Sequence, residues 1–551
     1  MKKSILPVAL AALFALPAHA GEAETLDTLR QTTLNLIDAL VDTGVLTREK
    51  ADALVKAAEA KTAKAVAKAK KDTTVRVQYV PESVKAEIRD QLKQEVLAQA
   101  RSEGWATPNA IPEWTERIKI EGDLRVRYQA DRYGSGNSEI AEYNNVQNAS
   151  AVSYPDITRF PSAADLAGDS RPTGNVSDDV SRARVRARLG VLAKINDSVS
   201  AGLRVVTGNV DDRVSTNQTL GNNFNKYSFN VDRAYIKVDP VEWLSISGGR
   251  IPNPWFNTDL AWDEDLNFEG VAATVSRVSR TATIRPFATA GWFPLRADSP
   301  PRADDRSLLG LQIGMDWDVN SNTRLRFGLA RFHYRNVEGR LDGGYDLVND
   351  VRGSSYGQYE YGSSLRQKGN TLFQTTLGNG DNSLASPFWG LASKFSPTVF
   401  TVAADLAHFD PIHLMVSAEY VKNTAFDRAE IERRSGLTLL DGKDTAWQLR
   451  VQAGMPSVRA SGDWQAFVAY RYLGSDSLLD AFVDSDFGSG GTNLRGYVLG
   501  ASYAIYRDTN VGLRWFSAEN IDSMTYGQSN ILLTGQKFKV DSFMADLSVR
   551  F

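Results

Sequence analysis

Cysteine is absent from the 551 residues, which excludes disulfide bridges and thiolate chemistry. Histidine is scarce, with four in the whole chain, one of them inside an amino-terminal leader. No run of ~20 apolar residues lies beyond that leader, so a bundle of membrane helices is excluded. A strong charge imbalance is also missing. The formal net charge is -3, and nothing in it points to nucleic acid. No metal cluster, phosphate loop or nucleotide motif stands out, so no cofactor and no metal are expected. What is present is alternation. In the last stretch, Phe543, Ala545, Leu547, Val549 and Phe551 fall on one side, and Ser542, Met544, Asp546, Ser548 and Arg550 on the other. Successive side chains of a strand point to opposite faces. One apolar face and one charged face suit a wall between lipid and water, or one half-buried strand of a soluble sheet.

The amino-terminus decides where such a wall would stand. Met1-Lys2-Lys3, the apolar stretch Ile5 to Leu16, and Ala18-His19-Ala20 form a signal peptide, with cleavage expected after Ala20. Residues 21–112 are expected to form a helical, periplasmic segment. Leu26, Leu29, Leu36 and Leu40 keep a/d spacing, with Leu34, Ile37 and Val41 widening the stripe. That is an amphipathic helix, either a short coiled coil or a helix packed within the chain. Lys56 to Lys71 is an Ala/Lys helical run carrying Lys61, Lys64, Lys68 and Lys70. It reads as a solvated face, or as a contact with an anionic surface or the cell wall. Pro81 opens a further helix over 82–101, and Pro108 and Pro112 close the region.

From Ile118 the period changes to two. Ile118, Ile120, Leu124, Val126 and Tyr128 alternate with Lys119, Glu121, Asp123, Arg125 and Arg127; Val185, Ala187, Leu189 and Val191 alternate with Arg184, Arg186 and Arg188. Further strands are expected near 226–239, 241–252, 265–277, 280–293, 306–318, 322–335, 394–408, 411–423, 443–455, 462–474, 494–506 and 509–519, about sixteen in all. The apolar face switches parity within 226–239 and 265–277, which predicts bulges there; Pro286 breaks a strand rule. Short connections such as Asn196-Asp197, Asn320-Ser321 and Arg507-Asp508 alternate with long ones such as 131–180, 336–393 and 475–493. Trp243, Trp317, Phe409 and Trp464 lie near the short turns, and Tyr128, Trp292, Tyr334, Tyr472 and Trp515 near the long loops. Loops segregated by length, an even strand number and two aromatic girdles predict an all-β transmembrane antiparallel barrel over residues 113–551.

Three stretches carry a family resemblance: "VRVQYVPESVKAEIRDQLKQEV" (Val75–Val96), "SEGWATP" (Ser102–Pro108) and "WTERIKIEGDLRVRY" (Trp114–Tyr128). With the terminal Phe551, they make the chain resemble the putative porin family of Gram-negative outer-membrane proteins over most of its length. The resemblance implies a channel for small solutes, no catalytic residues, outer-membrane lipid and the barrel-assembly machinery as partners, and Phe551 as the assembly signal. Trimers, common for porins of this kind, make a homotrimer the analogous assembly.

A sixteen-stranded barrel encloses water, and its inward side chains set selectivity. Alternation places Arg125, Arg127, Arg182, Arg184, Arg186, Arg188, Arg204, Arg324, Arg326, Arg450, Arg471 and Arg514 inside. Fixed positive charge in a narrow space concentrates anions, and guanidinium binds carboxylate and phosphate in bidentate fashion. Acid-rich loops, with Asp259, Asp263, Asp265, Asp484 and Asp486, would neutralise this ladder or set a field across the pore if they fold inward. The connections 131–180 and 336–393 are the candidates to narrow it. The expected function is a passive porin that favours anions. Rival readings are a structural protein tied to the cell wall through its amino-terminal helices, and a barrel enzyme. The enzyme reading needs a histidine with Ser or Asp at one rim; His333 stands alone there, suited to girdle or lumen lining, and His408 and His413 flank a short turn.

Overall fold

The computed structural model describes Lys56 and residues 117–137, 178–276, 282–297, 304–340, 345–346, 351–352, 359–362, 365–375, 389–435, 443–522, 526–527 and 537–551. The signal peptide and, apart from Lys56, the expected helical segment 21–112 lie outside the described residues. So do most of the first long loop and of the Lys56–Lys71 run.

Sixteen long strands follow one another around the sheet. They are β1 (Ile118–Tyr133), β2 (Val180–Lys194), β3 (Val199–Val206), β4 (Asn230–Val241), β5 (Leu244–Pro252), β6 (Asn267–Ser276), β7 (Ile284–Arg296) and β8 (Arg306–Asn320). The second half comprises β9 (Thr323–Arg335), β10 (Pro397–Phe409), β11 (Ile412–Asn423), β12 (Thr445–Gly454), β13 (Trp464–Leu473), β14 (Leu494–Tyr506), β15 (Thr509–Asn520) and β16 (Lys539–Arg550). Each pairs antiparallel with its neighbour in sequence. β16 returns to β1, with Asp123 opposite Arg550 and Tyr133 opposite Val540. The Phe551 and Gly122 backbones exchange hydrogen bonds of 3.1 and 3.0 Å, extending that seam by one residue. A closed ring leaves no unpaired edge, the condition for a sheet to cross a bilayer.

Alternation along the strands survives as two environments. On β1, Leu124, Val126 and Tyr128 are about half exposed on the outer surface, while Arg127 and Asp131 are each 1% exposed inside. Short turns close through local side-chain chemistry. Asn196 Oδ1 accepts from the Ser198 and Val199 amides at 2.9 and 2.8 Å, the Asx pattern that reverses a chain tightly.

Two sequence expectations are refined. The bulge in the 226–239 region exists, between Arg204/Val205 of β3 and the Asp232–Arg233 stretch of β4. The one expected within 265–277 does not: β6 pairs with β5 without a register shift. Its apparent parity switch arises because inward Phe268 is apolar and buried beneath a loop. Gly249 and Gly270 face each other there with φ of +117° and +144°. A Cβ on Gly249 would stand 2.3 Å from the Ala234 carbonyl oxygen, so glycine is required. Pro286 stands within β7, opposite Met315 of β8. Tyr334, expected in a girdle, belongs to the inner face and stacks on Phe482 with ring centroids 6.3 Å apart.

Candidate functional site

The interior is built in two layers, a wall of arginines and a set of loops that meet it. β2 supplies Arg182, Arg184, Arg186 and Arg188, in register with Gln129, Arg127, Arg125 and Asp123 of β1. Asp123 is shared by Arg188 Nε at 2.5 Å and Arg186 Nη2 at 3.0 Å. Arg182 pairs with Asp131. Arg184 donates to Gln129 Oε1 at 3.0 Å and Arg125 to Asn217 Oδ1 at 2.5 Å. Both of those acceptors are neutral, and the Nε of each arginine is buried without a partner. On the neighbouring strands Arg204 pairs with Asp232, while Arg233 donates to Asn267 Oδ1 at 2.7 Å. Arg233 escaped the sequence reading because the bulge moves it to the inner face, and a parity count fails at a bulge.

The inner loop layer comes first from residues 253–266, between β5 and β6. Two polar wall residues fasten it through its backbone. Gln312 of β8 accepts from the Phe256 amide at 2.8 Å and donates to the Phe256 carbonyl at 2.7 Å. Glu419 of β11 accepts from the amides of Thr258 at 2.7 Å and Ala261 at 3.0 Å. Aromatic packing completes the anchor. Trp262 lies edge-on to Phe268 and Phe332, with centroids 4.9 and 5.0 Å away, and Trp255 to Phe332 at 5.1 Å. The loop then presents acids on opposite sides of the barrel. Asp265 reaches Arg188 at 3.1 Å, and Asp259 reaches Arg471 at 2.9 Å and Gln448 at 2.7 Å.

Residues 474–493 form the second inward loop. Asp484 pairs with Arg471 Nη1 at 2.6 Å and Asp486 with Arg127 Nη1 at 3.0 Å; Asp546 of β16 takes Arg127 Nε at 2.7 Å and Arg514 at 3.2 Å. Arg127 and Arg471 are consequently covered, 1% exposed each. Residues 359–362 and 365–375 of the long connection 336–393 lock onto this loop from above. Asn370 Nδ2 donates to the carbonyls of Ser475 and Leu478 at 2.6 and 2.8 Å, and its oxygen accepts from the Asp480 amide at 2.9 Å. Tyr361 donates to Asp480 at 2.5 Å and Thr371 Oγ1 to Asp476 at 2.6 Å. Of the two connections expected to narrow the interior, 336–393 therefore acts on the 474–493 loop, and residues 138–177 of the other lie outside the described residues. Among the described residues, 253–266 crosses the interior.

The loop acids divide into two electrostatic kinds. Burial disfavours every one of their carboxylates. For Asp486 the Arg127 guanidinium overcomes burial and holds the pKa well below the usual range, and Arg471 with Arg450 does the same more weakly for Asp259. Burial wins at Asp263, reinforced by Asp484 and Asp265, and its pKa lies well above the usual value. Burial also pushes Asp476 and Asp480 up to about 6.

What remains open is a series of cavities. The central one, about 530 Å³, is lined by eight arginines and seven carboxylates, the arginines from the wall and the acids mainly from the two loops. Toward the short turns it meets a cavity of about 720 Å³ that contains Arg324, Arg326, Asp316 and Asp405. The two share Asp259, Asp263, Glu264 and Arg450. Toward the long loops it meets one of about 700 Å³ with Arg182, Arg184 and Arg213; here Val214, Ser485 and Asp486 are common. Of the twelve sequence-picked arginines, Arg125, Arg186, Arg188, Arg204, Arg450 and Arg514 gather at the centre. Arg182 and Arg184 stand above them, Arg324 and Arg326 below, and Arg127 and Arg471 beneath the loops. The histidines are scattered. His413 faces Asp405 at 2.6 Å and His408 faces Thr323 at 3.1 Å at the short-turn end. His333 lies on the outer surface of β9 at the opposite end, not in the lumen.

A family model described as "Putative porin" matches residues 30–551. No curated protein matches the sequence. Among solved structures, the outer membrane channel DcaP of Acinetobacter baumannii is similar at 11% identity and a TM-score of 0.38, covering 79% of this chain and 97% of its own. Salmonella typhi OmpF, solved with daunomycin, gives 10% identity and 0.37, over 79% and 97% of the two chains. An anion-selective porin from Comamonas acidovorans gives 12% identity and 0.37, over 79% and 99%.

Proposed function

The chain belongs to the putative porin family, and from that premise we propose that this outer-membrane channel is a passive diffusion pore for small hydrophilic solutes that favours anions. One observation carries the preference. Among the described residues, Arg125, Arg184 and Arg233 hydrogen-bond to neutral acceptors, whereas Arg182, Arg186, Arg188, Arg204, Arg450 and Arg514 form ion pairs with carboxylates. A guanidinium stays charged in proteins, so the three leave net positive charge along the lumen. The remaining arginines, facing the acids of the loops, set a field across the central cavity that orients a dipolar solute.

In this reading all twelve arginines belong to the pore apparatus. Ten line the three water-filled cavities, and Arg127 and Arg471 hold the inward loops in place. The amino-terminal region, cleaved after Ala20, is periplasmic, and the barrel occupies residues 113–551. Phe551, 62% exposed at the seam, serves as the assembly signal, and three copies form the working assembly. The test is the reversal potential of the purified protein in a planar bilayer under a salt gradient. Anion preference is expected, and replacement of Arg125 and Arg233 together by Gln should move the potential toward zero. Cation selectivity of the unmodified protein rejects the anion assignment.

A further inference from the structure

The outer surface of β9 departs from the pattern of the rest of the barrel. Below the rim it is apolar: Leu329 lies between Ile313 of β8 and Phe400 of β10, all outward and about half exposed. Toward the long loops its next outward residues are Arg331, His333 and Arg335, all exposed. Alternate residues of a strand are roughly 6.6 Å apart, so the three span about 13 Å. Two other cations at this rim are neutralised: Lys422 by Asp444 at 2.6 Å and Arg495 by Glu519 at 2.8 Å. Arg331, His333 and Arg335 have no ion pair among the described residues, and the residues opposite them on β8 are Leu311, Leu309 and Ser307. This basic row therefore faces away from the lumen, immediately above a hydrocarbon-facing band.

A membrane supplies one chemistry at that depth that answers uncompensated guanidinium, the phosphate of a lipid headgroup. We infer that the outer face of β9 docks a phosphorylated glycolipid of the outer leaflet, its phosphates on Arg331 and Arg335 and its acyl chains along the apolar band around Leu329. The inference rests on the outer-membrane reading above, with the long loops outward as such barrels place them. Anion passage through the lumen plays no part in it.

The probe is purified rough-type lipopolysaccharide added to the delipidated full-length protein in detergent, with affinity read by thermophoresis. Three comparisons accompany it: the dephosphorylated glycolipid, inorganic phosphate as competitor, and the variant R331Q/H333Q/R335Q. The variant should weaken binding at least tenfold, dephosphorylation should weaken the unmodified protein equally, and inorganic phosphate should not displace the glycolipid. R331K/R335K should retain most of the binding. Conductance of the Gln variant in planar bilayers should be unchanged, which establishes that it is folded; a protein that binds glycolipid but does not conduct would refute the channel reading alone. Equal binding by the Gln variant and the unmodified protein overturns the proposal. Full displacement by inorganic phosphate also overturns it, in favour of a free-anion site, and loss of oligomer with unchanged lipid affinity does so in favour of an interface between copies.

Discussion

Glu419 shows what one inward side chain can control. Its two oxygens accept the amides of Thr258 and Ala261 and the Thr401 hydroxyl, at 2.7 to 3.0 Å. Replacement by Ala strands two backbone donors, at about 1–3 kcal/mol for each. The 253–266 loop should then leave the wall. Single-channel conductance of E419A should rise and become noisier, and amide exchange over 256–263 should accelerate. E419Q keeps an acceptor and should stay close to the unmodified channel; equal behaviour of the two variants would remove Glu419 from this role. Arg471 gives the opposite lesson. It is fully buried between Asp259 and Asp484, and breaking a buried pair from one side costs ~3–5 kcal/mol. R471A should therefore lower thermal stability as well as disturb the lumen, measured as an earlier unfolding transition in detergent.

At the scale of elements, the contact of 359–362 and 365–375 with 474–493 is the part that responds to pH. Asp476 and Asp480, raised by burial to about 6, bind protons more tightly when this contact is made than when the loops are free. The contribution is thus fully present below about pH 4, is lost as pH rises through 6, and is constant above. Amide exchange over 474–493 should be slower at pH 4.5 than at pH 7, and D476N/D480N should flatten that difference. Lys368 behaves in the contrary sense. Burial lowers it to about 7, so its share is lost as pH falls through 7. K368M removes this opposing share and should widen the difference between pH 4.5 and pH 7; an unchanged difference would exclude the lysine from the pH response. Asn370 is the mechanical centre of this contact, and N370A should accelerate exchange there at every pH.

For the whole molecule, function should reside in the closed wall. Removal of residues 22–110 from the mature chain should leave single-channel conductance intact; its loss would revive the reading in which the amino-terminal segment is the working part. Phe551 adds only one further residue to the β1–β16 seam. Phe551→Ala should therefore lower the amount of folded barrel in the membrane without changing the conductance of the molecules that assemble, scored by heat-shifted electrophoretic mobility.

Period-two alternation made the barrel legible without coordinates. Strand positions agree with the sequence reading within a few residues, because a strand between lipid and water must change chemistry at every second residue. The twelve arginines were legible for the same reason, and Arg233 and Tyr334 show its limits. A bulge shifts parity without a signature in composition, and an aromatic near a rim satisfies a girdle or a loop interior equally well. Sequence alone therefore determined the wall: its strands and its closure. Only the tertiary structure decided what occupies the space inside. Loop 253–266 meets Gln312, Glu419 and Arg188, partners far away in the chain. Such contacts are set by where the closed barrel brings its opposite sides, and no local pattern encodes that geometry.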